Sequence, residues 1–233
     1  FKALAGLDLS LNITTDTAAQ FTVVIDERNG DAIRLKGKAD LAGGIDKSGK
    51  LSLAGLYELQ QGSYQITLSL LKKNFIIQKG STLNWAGDPM SAMVNITAIY
   101  EIRTAPIDFM QAELSGESES EVNKYKEKLP FKVLLIIKGD LLQPEISFDI
   151  TLPADLQTKW DDVEAKLKNL RTNESELNKQ VFALLLLGRF VQENPMDYTV
   201  GGSYEGMVRE SVSRLLTDQI NNLAGSLVKG VDL

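Results

Sequence analysis

The hydrophobic period of this chain changes once, at Pro153, and that change limits the folds available to it. Before Pro153, apolar residues recur at every second position between short turn-forming segments, which is typical of β-strands with one buried face. After Pro153, the apolar spacing follows the 3.6-residue repeat of amphipathic helices. We therefore predict a mainly β chain with C-terminal helices, divided into a β region over residues 1–153 and an amphipathic helical region over residues 154–233.

The β region contains about ten short strands, each of the usual length for globular proteins. Asn29-Gly30 predicts a tight hairpin turn, because this pair tolerates positive φ. Leu51–Tyr57 and Tyr64–Leu70 are predicted as two separate strands, since polar residues and a glycine lie between them. The segment 116–128 is rich in Glu, Ser and Lys and predicts an exposed charged loop.

Three amphipathic helices are predicted in the helical region. The first begins at a cap formed by Asp155 and continues to Leu170, and the second runs from about Glu174 to Phe190, before Pro195. The third covers residues 204–229, and its apolar stripe either packs into its own domain as a plug or contacts a partner or a membrane. The stripe includes Val212, Leu215, Leu216, Ile220 and Leu223.

Composition removes much of enzyme chemistry. The 233 residues include no Cys and no His, which excludes thiolate nucleophiles, imidazole bases and the usual zinc ligands. The net charge of −6 argues against a nucleic-acid partner. Carboxylate catalysis by Asp46 with Glu58, or by Asp140 with Glu145, stays open as a minor alternative. We expect a protein that is not an enzyme, with no catalytic residue, cofactor or metal.

One predicted sheet face is aliphatic and nearly free of charge. Such a face forms either an ordinary core or a groove that binds acyl chains or an apolar partner segment. Trp85 either caps the core or closes one end of the groove. The candidate groove residues are Leu51, Leu53, Tyr64, Ile66, Leu68, Phe75, Ile77, Trp85, Val94, Ile96 and Ala98.

The chain also carries an ordered set of motifs. A Gly-x-Tyr unit is followed by an aliphatic strand, Gly-Ser, Trp, Gly-Asp-Pro and an alternating strand that ends in Ala-x-Tyr. A strand, a Gly turn and a Pro-started strand come later, before an apolar helix. In order and spacing these motifs resemble the C-terminal domain of the TamB family, a component of the bacterial translocation and assembly module. They lie at residues 62–66, 74–89, 94–100, 137–148 and 177–185.

The resemblance implies an elongated antiparallel β-taco, a groove with an apolar interior, with amphipathic helices packed on or into it. It implies a periplasmic domain of a Gram-negative bacterium, anchored in the inner membrane by a segment outside this sequence. The implied activity is outer-membrane protein assembly or translocation, phospholipid transport along the groove, or both. The implied partner is an outer-membrane barrel of the BamA superfamily, with phospholipid or nascent outer-membrane protein strands as cargo.

A different class of protein also fits the strand pattern. A soluble β-sandwich that acts as an interaction or adhesion module, with helices capping the sheet and no lipid conduit, would show the same alternation. Two apolar sheet faces packed against each other would identify it.

Overall fold

Nine strands form one antiparallel sheet in the part of the chain that the computed structural model describes, residues 8–26, 28–68 and 71–192. The sheet is curved and open, and helices follow it, as the change of period predicts. The elements are β1 (Leu9–Thr15), β2 (Gln20–Asp26), β3 (Asp31–Ile45), β4 (Leu51–Leu68), β5 (Leu71–Ile77), β6 (Thr82–Gly87), β7 (Ala92–Thr104), α1 (Glu119–Lys124), β8 (Leu129–Asp140), β9 (Gln143–Thr151), α2 (Ala154–Gln157), α3 (Asp161–Leu170) and α4 (Glu174–Leu187).

The strands follow one another across the sheet in nearly the same order as in the chain. The order is β1-β3-β4-β5-β7-β8-β9, with β2 pairing with β3 and β6 pairing with β4 and β7. β1 and β2 therefore lie end to end along one side of β3, and β5 and β6 lie end to end between β4 and β7. Helix α1 lies in the connection between β7 and β8, which still pair with each other, so the sheet keeps the chain order there.

The two strands predicted on either side of residue 60 are one continuous strand, β4. The register with β3 shifts between Lys36 and Gly37, which leaves Gln60 as an extra residue in β4. A bulge of one residue changes which parity faces inward. Tyr57 before the bulge and Tyr64 after it consequently lie on the same face, and both are buried. The polar residues and the glycine between Tyr57 and Tyr64 predicted a break between two strands. In the structure these residues belong to β4, which continues through them.

The interruption between β5 and β6 also stays within the sheet. Two backbone hydrogen bonds join this turn to Leu59 of β4: the Gly80 N–H donates to the Leu59 carbonyl, and the Leu59 N–H donates to the Ser81 carbonyl, both at 2.8 Å. The buried Ser81 hydroxyl donates to the Gln78 carbonyl and accepts from the Thr97 N–H. These bonds replace the missing ladder, so β4 and β7 stay in register on either side of the turn.

The first predicted helix is broken in two. Trp160 separates α2 from α3, with φ −121°, and its side chain is 1% exposed. Its indole ring packs against Tyr125, with ring centroids 5.8 Å apart. The prediction that Asp155 caps this helix is wrong. Pro153 occupies the N-cap position, no side chain caps α2, and Asp155 lies in the first turn of the helix. The regular helical spacing of apolar residues predicted one helix, but the chain breaks at Trp160, whose large side chain is buried there.

The second predicted helix is α4, and it ends earlier than Phe190. Gly188 terminates it in the left-handed conformation with φ +72°, a common helix end. Phe190 then folds back into the core, where its ring stacks on Phe109 at 4.8 Å. Pro195 and the third predicted helix, with its stripe Val212, Leu215, Leu216, Ile220 and Leu223, lie outside the described residues.

The segment 116–128, predicted as an exposed loop, contains a short helix and a buried anchor. Ser118 caps α1 by accepting a hydrogen bond from the Glu121 N–H. Tyr125 is 7% exposed, and its hydroxyl donates to the Asp162 carboxylate. The Ser-x-x-Glu spacing at 118–121 is a helix-start signal, and the charge-based interpretation overlooked it. The charged residues around it are exposed, as the composition suggests.

The alternative β-sandwich does not form among the described residues. All nine strands belong to one sheet, and its buried face is covered by helices rather than by a second sheet. We call this face, which carries the core residues, the inner face. Helices α3 and α4 both contact β9, so the covering layer lies over the C-terminal strands of the sheet.

Candidate functional site: the inner face of the sheet

The predicted groove residues share the inner face of the sheet. Directly opposite residues of an antiparallel pair point to the same side, and the register pairs Tyr64 with Phe75 and Ile77 with Ala98. Gly55, on the inner side of β4, pairs with Trp85. Leu68 ends β4, but its side chain lies outside the described residues. The strand registers therefore place the described members of this set on one face, and what they contact is a separate question.

Most of the predicted residues lie in the core rather than on an accessible wall. Tyr64, Phe75 and Ile77 are 3–5% exposed, and Tyr64 and Phe75 are in ring contact with centroids 6.5 Å apart. Phe75 also contacts Tyr100, at 5.7 Å. Ile66, Val94 and Ala98 are buried in the same way. In this part of the inner face, a ligand would have to displace packed side chains.

The other part of the inner face is exposed. Leu51 is 39% exposed, and Leu53 beside it is half-buried. The register continues this surface onto β3 and β1, where Leu9 faces Ile45, and Ile45 faces Leu51. Leu9 and Leu11 are 47% and 50% exposed. We call this surface the open patch; its members are Leu9, Leu11, Ile13, Ile45, Leu51 and Leu53.

Four members of the open patch, the three β1 residues and Ile45, were missing from the predicted site. Leu9, Leu11 and Ile13 alternate with Ser10, Asn12 and Thr14, so the sequence shows a strand with one apolar face. Nothing local in that pattern says which neighbour this strand joins. The pairing of β1 with the C-terminal half of β3 adds these residues to the same surface.

Charge is confined to the outer face around the open patch. Lys38 faces Glu58, and Asp40 faces Leu56, all at positions that alternate with the inner-face residues. The inner positions of β1 and β6, and those of β3 and β4 beside them, carry no charged residue. The exposed part of the inner face around the open patch is therefore apolar, without a charged side chain.

Trp85 lies at the boundary between the core and the open patch. It is half-buried, packs against the core and faces Gly55 and Ala92 across the strand pairs. Its indole N–H donates to the Pro89 carbonyl at 3.0 Å, in the Asp-Pro turn that leads to β7. Because this polar atom is satisfied, the remaining accessible ring surface is apolar.

Two hydroxyl groups are buried on the inner face without a hydrogen-bond partner among the described residues. They belong to Tyr57 and Tyr64, which are 7% and 4% exposed. Burial raises the pKa of both phenols, and the negative charge of Asp31 adds to the shift of Tyr64. Both groups are therefore neutral donors over the physiological range. Lys73 carries a positive charge on the inner side of β5, and its ammonium group donates to the Tyr100 hydroxyl at 3.1 Å.

The first candidate catalytic pair does not meet. Asp46 accepts hydrogen bonds from the backbone N–H groups of Ser48 and Lys50 in the turn between β3 and β4. The Ser48 hydroxyl, which contributes most, and these amides lower the pKa of Asp46. Glu58 faces Lys38, about 20 Å along β4 from that turn at the usual rise per residue. Asp46 therefore has a turn-forming role in this structure.

The second pair also belongs to a turn. Asp140 accepts from the Leu142 N–H at 2.8 Å and closes the connection between β8 and β9. Glu145 is exposed and faces Lys138. Within residues 8–26, 28–68 and 71–192, no group of three or more acidic side chains is arranged to hold a metal ion.

Comparison with known proteins shows which family the chain is similar to. A family model described as the TamB C-terminal domain matches residues 2–233, which confirms the resemblance drawn from the motifs. No curated protein matches the chain. In the described part of the chain, no helix combines the length and the apolar character needed to cross a bilayer.

Proposed function

Because the chain belongs to the TamB C-terminal domain family, we propose that it serves a bacterial translocation and assembly module by holding apolar cargo on the inner face of its sheet. The cargo is phospholipid acyl chains, or the apolar side of a nascent outer-membrane strand. The domain works in the periplasm and is not an enzyme. Its partner is an outer-membrane barrel of the BamA superfamily.

The open patch is the observation that carries this proposal. Leu9, Leu11 and Leu51 expose 39–50% of their surfaces on a part of the inner face that carries no charged residue. Each square ångström of apolar surface removed from water contributes about 25 cal/mol. An acyl chain or an amphipathic strand that crosses an aqueous space gains this stabilisation for as long as it lies on such a surface. The same contact removes the exposed leucines from water.

Trp85 gives a direct test of lipid contact. The chain has two tryptophans, and Trp160 is buried under the helices. Phospholipids with brominated acyl chains quench an indole that they touch. We expect quenching in the wild-type protein and none in a Trp85→Phe variant, which keeps Trp160 as an internal reference. Native mass spectrometry with lipid extraction then gives the stoichiometry of retained phospholipid.

Two aspartate substitutions on β4 form a matched control. Leu51→Asp places a charge in the open patch, whereas Leu56→Asp places one at a similarly exposed position of the outer face, since these leucines are 39% and 45% exposed. We expect lipid retention to fall severalfold for Leu51→Asp only. Equal retention in both variants, or quenching unchanged by Trp85→Phe, would reject the inner face as the binding surface.

The same variants separate the two kinds of cargo. If the purified domain carries no lipid, capture of outer-membrane barrels or of an amphipathic β-strand peptide becomes the readout. Leu51→Asp should then weaken capture relative to Leu56→Asp. Capture that neither substitution changes would contradict an inner-face role for protein cargo as well.

A further inference from the structure

The outer face of the sheet carries a group of cations without matching anions. We propose that this group binds the surface of an anionic phospholipid bilayer through the lipid phosphates, while exposed aliphatic side chains beside it enter the headgroup layer. We call the group the basic patch; its members are Arg34, Lys36, Lys38 and Lys72. The proposal concerns the opposite side of the sheet from the cargo surface, and it does not depend on what the inner face binds.

The strand registers bring the basic patch together. Arg34, Lys36 and Lys38 occupy every second position of β3 and alternate with residues of the inner face. Neighbouring members on this strand are therefore about 6.6 Å apart, which is less than the screening length of about 8 Å at physiological salt. Lys72 lies two strands away on β5, where it faces Thr67 of β4. Arg34, Lys38 and Lys72 are exposed and Lys36 is half-buried, so their charges act jointly on a partner at this surface.

The cations of the basic patch are not neutralised within the described part of the chain. None of the four forms an ion pair with another described residue. The acids on this part of the outer face, Asp40 and Glu58, lie at the Lys38 end, and Glu58 accepts a hydrogen bond from the Gln60 amide at 2.8 Å. The residues that face Arg34 and Lys36 on β2 and β4 are neutral; they are Thr22, Ser63, Gln20 and Gln61.

The outer face of the C-terminal strands shows the opposite arrangement. Lys132 pairs with Glu101 at 3.6 Å, and Lys138 faces Glu145 across β8 and β9. Cations on that part of the face are thus matched by acids. The chain as a whole has a net charge of −6, so the basic patch is a local concentration of positive charge on an acidic protein. Such a concentration gives an anionic surface one preferred side of the sheet.

Exposed aliphatic side chains lie beside the basic patch. Ile76 is 54% exposed and lies in the same row as Arg34, because both face Ser63. Val24 is 51% exposed and faces Ala32, which is one row further along β3. Cations next to exposed apolar groups are typical of surfaces that bind bilayers, where phosphates contact the cations and the apolar groups leave water. An acidic protein would satisfy the cations alone, so the two features together favour a bilayer.

Vesicle co-sedimentation of the full chain tests the proposal with two double variants that change the net charge equally. Arg34→Gln with Lys36→Gln removes two cations of the basic patch. Lys132→Gln with Lys138→Gln removes two cations of the same sheet face that lie opposite acids. The vesicles contain equal parts of phosphatidylcholine and phosphatidylglycerol. Each basic residue at an anionic bilayer strengthens binding about fivefold, so we expect binding about 25-fold weaker for the first variant and within about twofold of wild type for the second.

Three outcomes of this experiment would overturn the proposal. The first is a wild-type protein that does not bind the anionic vesicles, or binds vesicles of phosphatidylcholine alone equally well. The second is an equal loss in the two double variants, which would assign the effect to net charge. The third is binding to polyglutamate without binding to anionic vesicles, which would assign the basic patch to an acidic protein. Added salt should weaken vesicle binding if the phosphates are the contact.

A fluorescent probe at Ile76 reads the bilayer contact at one position. The chain has no cysteine, so Ile76→Cys can carry a single environment-sensitive dye. Met93→Cys on the outer face of β7 is the control, since these side chains are 54% and 56% exposed. We expect the anionic vesicles to shift the emission to shorter wavelength at position 76 only. No shift there, or an equal shift at both positions, contradicts the proposal.

Leu51→Asp separates this proposal from the proposed function. If vesicle binding falls for Arg34→Gln with Lys36→Gln while native mass spectrometry finds wild-type lipid retention, the basic patch binds the bilayer whether or not the inner face holds cargo. If vesicle binding falls for Leu51→Asp and not for the basic-patch variant, the inner face holds the vesicle lipid. That result would overturn this proposal and support the proposed function.

Discussion

The inner face has two halves that carry the same sequence pattern and differ in what covers them. On the half under the helices, Phe131 and Val133 are fully buried in β8, and Leu184 of α4 is equally buried. On the other half, Leu9 and Leu11 of β1 are about half-exposed in an equally regular alternation. An alternating strand therefore specifies which residues share a face, and the covering layer decides whether that face becomes a core or a surface.

Chain connectivity explains where the covering layer lies. β9 ends at Thr151 and α2 begins at Ala154, so the helices start at the β9 edge of the sheet. Short connections keep consecutive elements close in space, and α3 and α4 accordingly contact β9. The open patch lies on β1, β3 and β4, at the opposite end of the strand order.

The two edges of the sheet also differ in how well they are protected: the β9 edge is covered, and the edge formed by β1 and β2 is open. At the β9 edge, the Arg171 guanidinium donates to the Ile150 carbonyl at 2.9 Å, and the Gln157 amide donates to the Leu152 carbonyl at 2.9 Å. Along the opposite edge, Asp16 is the one charged residue between Leu9 and Ile25. Proteins usually protect sheet edges with charge, proline or a covering element. The covered half has such protection, and the open half has little.

The largest expected effect is on the free energy of unfolding, which a truncation in the covered half should lower far more than a truncation in the open half. Phe131→Ala removes a fully buried ring that packs edge-on against Phe190 at 4.8 Å, so we expect a loss of about 3–5 kcal/mol in the free energy of unfolding. Leu11→Ala should cost less than about 1 kcal/mol, because little of its burial is lost. Urea denaturation of both variants measures the difference. Equal losses would mean that the open patch is a core in solution.

The next effect lies at the bulge between the halves. A Cβ added at Gly37 would stand 2.3 Å from the Glu58 carbonyl oxygen and 2.9 Å from the Tyr57 ring. The backbone must move, so Gly37→Ala should destabilise the protein by about 3 kcal/mol. Gly43 lies on the same strand and face, where the nearest atom is 3.6 Å away, and Gly43→Ala should cost about 1 kcal/mol or less. Thermal unfolding of the two variants tests whether the bulge is required; similar losses would contradict it.

The sequence predicted the face of each residue better than its burial. The alternation assigned Leu53, Tyr64 and Ile77 to one face, and the strand registers place them there. It could not show that the bulge at Gln60 joins two predicted strands, because a bulge changes the parity of the pattern without changing its period.

Burial depended on contacts distant in sequence. Tyr125 is buried because the start of α3 brings Asp162 and the preceding Trp160 against it, although its own neighbours are charged. Leu51 is exposed at the end of β4 next to β1 and β3, whereas α3 and α4 pack on β9 at the other side of the sheet. The candidate surface was therefore predictable as a face, and its division into a core and an open patch was not.

A smaller effect is expected where α4, part of the layer that covers the sheet, holds the residues that follow it. Gln180 is fully buried and bonds both polar groups of Val191 as well as the Glu176 carboxylate. Gln180→Met keeps the volume but leaves the Val191 N–H and carbonyl without their partner, so we expect a loss of about 2 kcal/mol. Hydrogen exchange should rise at 188–192 and stay unchanged in β1. Gln143→Met, at an exposed position of β9, is the control. Unchanged exchange at 188–192 would show that the hydrogen bonds of Gln180 do not hold this segment.

The smallest expected effect is confined to the turn beside the open patch. Hydrogen bonds from Ser48 and Lys50 lower the pKa of Asp46 below its ordinary value of 3.8. A lowered pKa means that the folded state favours the carboxylate, so this contribution is complete above the ordinary pKa and is lost as the pH falls through the lowered value. Asp46→Asn removes the titration.

The difference in melting temperature between wild type and Asp46→Asn should therefore narrow as the pH falls from about 6 to about 2. Amide exchange in the Ile45–Leu51 turn should become faster in acid in the wild type only, while amides around Phe131 respond alike in both proteins. A constant difference across this range would show that the carboxylate charge has no role in the turn. A response that spread to β8 would show that the two halves of the inner face unfold as one unit despite their different cover.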